Sequence, residues 1–156
     1  MADVVPPEVR SRMMSGIRGR NTQPELAVRR GLHGLGFRFR LHVRGLPGKP
    51  DIVLPKYRAV ILVHGCFWHG HDCPLFKWPS TRPDFWRAKI TRNREVDARN
   101  RRELGDLGWR VMEIRECALK GPGRRDPAVV LERAARWLRG DRRRGRIEGI
   151  RPRATV

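Results

Sequence analysis

Residues 64–73 read His-Gly-Cys-Phe-Trp-His-Gly-His-Asp-Cys, three imidazoles, two thiols and two large aromatics within one decapeptide. The decapeptide follows directly on the apolar run Val60-Ile61-Leu62-Val63. In a reduced protein, thiols and imidazoles at this density point to metal binding or catalysis. Cys66, His71 and Cys73 stand at C-x4-H-x-C spacing, and Cys117 follows much later. Three thiolates and one imidazole suit a closed tetrahedral zinc site of the structural kind. The spacing is not that of a standard finger, so three buried free cysteines are the competing reading. His71 lies between two cysteines and is the favoured imidazole ligand, which leaves His64 and His69 for other roles.

His69 suits a general base for an attacking water, because neutral imidazole is available near pH 7. Asp51 follows Pro50 and opens a short apolar segment. A carboxylate there can hold a hard cation such as Mg2+ beside a phosphodiester, or serve only as a turn aspartate after proline. Glu25 stands three residues after Thr22, as in a capping box, and from that first helical turn it can also face a cleft. Asp97, one of few acids in a basic segment, reads as a local arginine partner. Phe67, Trp68 and Trp86 sit in polar surroundings, where rings can stack on bases or wedge between them. Trp78 shares that neighbourhood, whereas Trp109 and Trp137 fit core positions.

The elements that must position these groups follow from hydrophobic period. Thr22-Gln23-Pro24-Glu25 starts a helix that carries Leu26, Val28, Leu32 and Leu35 and ends at Gly34/Gly36. From Phe37 to Val43 the period is two, with Arg38, Arg40, His42 and Arg44 on the other face, which predicts a strand. Residues 51–54 and 58–63 predict two more strands, the latter apolar on both faces and therefore central. Residues 84–107 predict a long polar helix with Phe85, Ile90, Val96, Leu104 and Leu107 toward the core. A strand over 109–114 and an amphipathic helix over 128–138 complete a mixed α/β domain with a small central sheet flanked by helices. The expected division is an N-terminal arm over 1–21, a domain over 22–139, and a basic tail over 140–156 without regular structure.

The 156 residues, 39% of them apolar, fit one domain with a core. Thirty-five Lys plus Arg against 16 Asp plus Glu give a net charge of +19. Only five of the bases, at 49, 56, 77, 89 and 120, are Lys. Guanidinium forks pair with phosphates and base edges, so this balance points to nucleic acid rather than a lipid surface. A protein-interaction domain built only on zinc gives such a charge no role. Three cysteines make no closed disulfide framework, and no signal peptide or membrane-length apolar run is visible. A cytoplasmic protein with reduced thiols is expected.

The same residues resemble the very short patch repair (Vsr) DNA mismatch endonucleases. The likeness rests on Asp51, on Val63-His64-Gly65-Cys66-Phe67-Trp68-His69 with His71 and Cys73, and on Asn21-Thr22 with Pro24-Glu25 upstream. It continues through Thr81-Arg82, Phe85-Trp86, Lys89-Ile90 and Asn93 to Gly108-Trp109-Arg110-Val111 and Glu116-Cys117-Ala118. It spans about residues 8 to 140, and its His-Gly-Cys-Phe-Trp-His core is highly specific.

The resemblance implies a restriction-endonuclease-like core that nicks one strand 5′ to the thymine of a T:G mismatch left by 5-methylcytosine deamination. It implies catalytic Mg2+ on Asp51 and the backbone carbonyl of Val63, with His69 activating water. Glu25, His64 and Asp97 would order the metal-bound waters. Cys66, His71, Cys73 and Cys117 would hold structural zinc. Phe67, Trp68 and Trp86 would wedge into the major-groove side of the mismatch, with Met14 and Ile17 on the minor-groove side. A monomer close to the nucleoid, linked to a cytosine-5 DNA methyltransferase and a repair polymerase, is expected on the same ground. One departure stands out: the family often has Thr where this chain has Val63. Residues 63–66 also lack the acid and lysine of the related nuclease motif, so histidine chemistry must replace them. The rival expectations are a zinc-stabilised DNA-binding protein without catalysis and a restriction-type nuclease cutting matched duplex.

Overall fold

The structure, a computed structural model, describes residues 22–151. The expected arm, with Met14 and Ile17, lies outside the described residues. Helix α1 (Gln23–Gly34) starts as its sequence dictates, with the Thr22 hydroxyl accepting from the Glu25 amide at 3.3 Å and Pro24 in the first turn. Strands β1 (Arg40–Leu41), β2 (Ile52–Leu54) and β3 (Ala59–His64) follow. Helix α2 (Pro83–Asp106) then leads to β4 (Arg110–Arg115), and helix α3 (Pro127–Arg139) to β5 (Arg144–Ile147).

The strands form one mixed sheet in the order β1-β2-β3-β4-β5, so β3 is central, as its unbroken apolar run predicts. β1, β2 and β3 are antiparallel neighbours, while β3-β4-β5 are parallel, with α2 and α3 as the crossovers. One face carries α1 and α3 on a core of Val28, Leu32, Ile52, Leu54, Ile61, Ile114, Val130, Leu138 and Ile147. On the other, Leu104 of α2 packs on Val53, Val60, Leu62 and Val111. The mixed α/β class with helices on a small sheet is thus observed. No helix among the described residues is long and apolar enough to cross a membrane.

Several expectations are corrected. Phe85 and Leu107, expected in the core, are 45% and 53% exposed, and Leu35 at the end of α1 is 48% exposed. Leu35 and Leu107 are C-cap residues, past the last turn that packs. The strand expected over 37–43 shrinks to two residues, and His42 directly after it takes positive φ, which ends the pairing. The segment beyond Arg139, expected to be irregular, contains β5, which pairs with β4 from Val111↔Arg144 to Ile114↔Ile147.

Candidate active site and metal centre

β3 delivers Val63 and His64 to the same end of the sheet, and two clusters form beside them. The first holds Asp51, Glu25 and His42, whose ligand atoms lie within 4.8 Å of one another. Asp51 precedes β2, and its Oδ2 accepts the Val63 amide at 2.8 Å. Burial pushes its carboxyl up from 3.8 to about 7; the Val63 amide and the Arg29 charge pull the other way, and Glu25 adds to the rise. So buried an anion favours a neighbouring cation, which suits this carboxylate to a hard metal ion. Glu25, almost wholly buried in the first turn of α1, pairs with Arg29 one turn on. It also lies 3.0 Å from His42 Nε2, with Arg29 Nη2 2.9 Å from the same nitrogen. Both readings of Glu25 therefore meet in one residue: its amide serves the cap and its side chain faces Asp51.

His42 escaped the sequence reading. Its alternation with arginines placed it on a solvated face, and only the left-handed turn at φ +49° brings it inward.

The second cluster is His64, His69 and Asp97. His69 Nδ1 lies 2.5 Å from Asp97 Oδ2 of α2, so Asp97 serves an imidazole and not the arginine expected. The His64 and His69 rings stack, with centroids 3.9 Å apart and planes 8° from parallel. Burial, then His69, Arg115 and Arg101, hold His64 well below the ordinary 6.5, so it is neutral. Behind it Glu113 of β4 takes Arg115 at 2.9 Å and Arg101 at 3.2 Å. The two clusters stay separate groups, joined through the adjacent residues Val63 and His64.

The third group, Cys66, His71, Cys73 and Cys117, gathers its ligand atoms within 4.8 Å of one another. Cys117 sits in the 3-10 turn Glu116–Ala118 after β4. Its amide donates to Cys66 Sγ at 3.3 Å, and its own Sγ lies 3.6 Å from His71 Nδ1. Burial raises the Cys66 and Cys117 thiols above the ordinary 9.0. Soft donors gathered together, with the Cys117 amide directed at Cys66 Sγ and the Gly149 amide at Cys117 Sγ, fit a soft divalent cation that would reverse that rise. The three cysteines are free thiols, and no two form a disulfide.

The segment between Cys66 and His71 carries Phe67, Trp68 and His69, so the Cys/His group brackets both ends of this short loop. Gly70 takes φ +61°, and a Cβ there would meet Arg94 Nε and Ile90 Cγ2 at 2.5 Å. Its carbonyl accepts from Arg94, and Asn93 Nδ2 donates to the Trp68 carbonyl at 2.8 Å, which ties the loop to α2. Phe67 packs edge-on to Trp68 and Trp86, with centroids 5.0 and 5.3 Å apart. Phe76, Phe85 and Trp78 extend this half-exposed surface, with Arg82 over Phe85 and Arg87 over Trp78. Single aromatics in a helix or a proline-rich loop read as packing residues, so Phe85 is expected in the core and Phe76 carries no expectation.

Comparison with known proteins agrees with this arrangement. Residues 2–75 match the model of the DNA mismatch endonuclease Vsr family. The chain is 45% identical to the DNA mismatch endonuclease Vsr of Escherichia coli over 141 residues, covering 90% of each chain. It is 49% identical to the type II nicking enzyme V.XorIIP of Xanthomonas oryzae over 79% of this chain and 90% of that one. With V.NmeAIP of Neisseria meningitidis the figures are 42%, 89% and 96%. With its fold and its clusters at the end of β3, the chain belongs to the Vsr family of DNA mismatch endonucleases.

Proposed function

We propose that the protein is a Mg2+-dependent endonuclease that nicks one strand 5′ to the T of a T:G mismatch and is braced by a structural zinc. On this reading the core is restriction-endonuclease-like, residues 1–21 are a DNA-contacting arm, and a cytosine-5 methyltransferase creates the sites whose deamination it answers. The observation that carries the proposal is the His69–Asp97 pair stacked on His64, one residue from the Val63 amide that holds Asp51. The relatives named as nicking enzymes support cleavage of a single strand.

Asp51 and the Val63 carbonyl would hold Mg2+, which when bound polarises the scissile phosphate and stabilises the leaving oxygen. Asp97 keeps a proton on His69 Nδ1, which leaves Nε2 to take the proton of the attacking water. Neutral His64 stacks on that ring and limits its swing. Glu25, steered by Arg29 and His42, presents a carboxylate that orders water beside Asp51. Phe67, Trp68 and Trp86 insert from the major-groove side, where the weaker stacking of a mismatch lowers the deformation energy. Met14 and Ile17 act from the minor-groove side. Zinc on Cys66, His71, Cys73 and Cys117 holds the loop between these two functions and takes no part in hydrolysis.

The test maps the nick at nucleotide resolution on end-labelled T:G and T:A duplexes of one sequence, with and without Mg2+. A single Mg2+-dependent nick 5′ to the mismatched T is expected. Equal cutting of the matched duplex, or cutting of both strands, would refute the reading.

A further inference from the structure

The residues after β5 run across the metal group. His71 is buried, and its two ring nitrogens have different neighbours: Nδ1 faces Cys117 Sγ, while Nε2 lies 2.8 Å from Glu148 Oε2. A neutral imidazole carries one proton. The carboxylate draws it to Nε2 and leaves the Nδ1 lone pair toward the sulfurs, the tautomer that a metal requires. One residue on, the Gly149 amide donates to Cys117 Sγ at 3.2 Å. This approach is open only to glycine, since a Cβ there would lie 2.4 Å from the Cys117 carbonyl oxygen and 3.0 Å from that of Gly123. Two more bonds hold the segment: Arg125 Nε donates to the Glu148 carbonyl at 2.6 Å, and the Ile150 amide to the Gly123 carbonyl at 2.8 Å.

We infer that Glu148 is a positioning residue for His71, with Gly149 acting likewise on Cys117, so that the C-terminal strand and the metal centre form one mutually dependent unit. The inference rests on the zinc reading of Cys66, His71, Cys73 and Cys117. Its physical basis is that an outer carboxylate orients an imidazole ligand and raises its basicity, and that an amide directed at a sulfur stabilises thiolate. β5 presents few apolar side chains of its own, only Ile147 being fully buried, so beside its pairing with β4 its anchorage draws on the residues that follow it. By reciprocity, loading the centre stabilises β5, and docking β5 tightens the centre.

The test uses the full-length protein loaded with zinc. Zinc affinity is measured by competition with a chromophoric chelator for wild type, Glu148→Gln, Glu148→Ala and Gly149→Ala. Outer-sphere partners are typically worth about tenfold to a hundredfold in metal affinity. Glu148→Ala and Gly149→Ala should weaken zinc by that factor. Glu148→Gln, which keeps shape and an acceptor oxygen, should weaken it less, and the Co2+-substituted protein should show shifted d–d bands in all three. Amide exchange at 144–150 should accelerate when zinc is removed, more than at β3. Zinc binding and Co2+ spectra unchanged in Glu148→Gln and Glu148→Ala would overturn the inference, as would exchange at 144–150 that ignores zinc. A wild-type protein that holds no stoichiometric zinc would overturn the underlying reading instead, and with it this inference.

Discussion

Asp51→Asn separates the function of the site from its cost to the fold. Burial lifts the Asp51 carboxyl from 3.8 to about 7 in the metal-free protein. Because the folded value is the higher one, the folded chain between those limits holds a proton that the unfolded chain has released. Stability from this group is therefore full at low pH, falls through that window, and is flat above pH 7. At 1.36 kcal/mol per pH unit the whole loss is about 4 kcal/mol, of which about 2 kcal/mol falls between pH 5.5 and 7. Asn carries no charge to desolvate, so its advantage over Asp should be about 2 kcal/mol larger at pH 8.5 than at pH 5.5. Urea unfolding in Mg2+-free buffer without chelator, so that metal on Cys66, His71, Cys73 and Cys117 is not stripped, measures this directly. Added Mg2+ should stabilise the wild type at pH 8.5 and leave the variant unchanged. A stability difference that is the same at both pH values would mean that burial does not raise the Asp51 carboxyl.

Other perturbations follow from the same geometry. His69→Ala should slow nicking by about 10²–10⁴-fold, the usual worth of a positioned base, and Asp97→Asn by less, measured under single turnover with mismatch binding retained. Glu113→Ala strips the counter-charge from Arg101 and Arg115. Leaving buried charges uncompensated should destabilise by about 3–5 kcal/mol in urea unfolding, and a loss below about 1 kcal/mol would contradict the network. Gly70→Ala should cost about 1–3 kcal/mol through its positive φ and its clash with Arg94 and Ile90, read as a lower Tm. Trp68→Ala should reduce the preference for T:G over T:A in binding, by about 1–3 kcal/mol if the ring stacks on a base.

The frame of this fold was legible because burial imposes period. The apolar run of β3, the helical spacing in α1 and α3, and the Thr22 cap with Pro24 in the first turn lie where their patterns predict. Pattern failed where stability comes from the backbone or from ends. β5 reads Arg-Gly-Arg-Ile and shows almost no alternation; parallel pairing with β4 and the seating of Gly145 against Met112 and Trp137 hold it instead. Leu35 and Leu107 look apolar enough for a core, but each is the C-cap residue of its helix and stays exposed. At the site, the Cys and His residues of the 64–73 decapeptide were visible by type and spacing. His42 and Glu148 were not, because each acts through a partner distant in sequence: His42 on Glu25, Glu148 on His71. Nothing local marks such a residue.

In the proposed mechanism Asp51 and His69 act on the scissile phosphate while the aromatic loop and a structural zinc position it. Single-turnover nicking of a T:G duplex by wild type, Asp51→Asn, His69→Ala and Trp68→Ala, with binding measured in parallel, tests it most directly. The first two variants should bind the mismatch as wild type does and nick it at least about a hundredfold more slowly, whereas Trp68→Ala should weaken mismatch binding and discrimination. Nicking at the wild-type rate by Asp51→Asn or His69→Ala would contradict it.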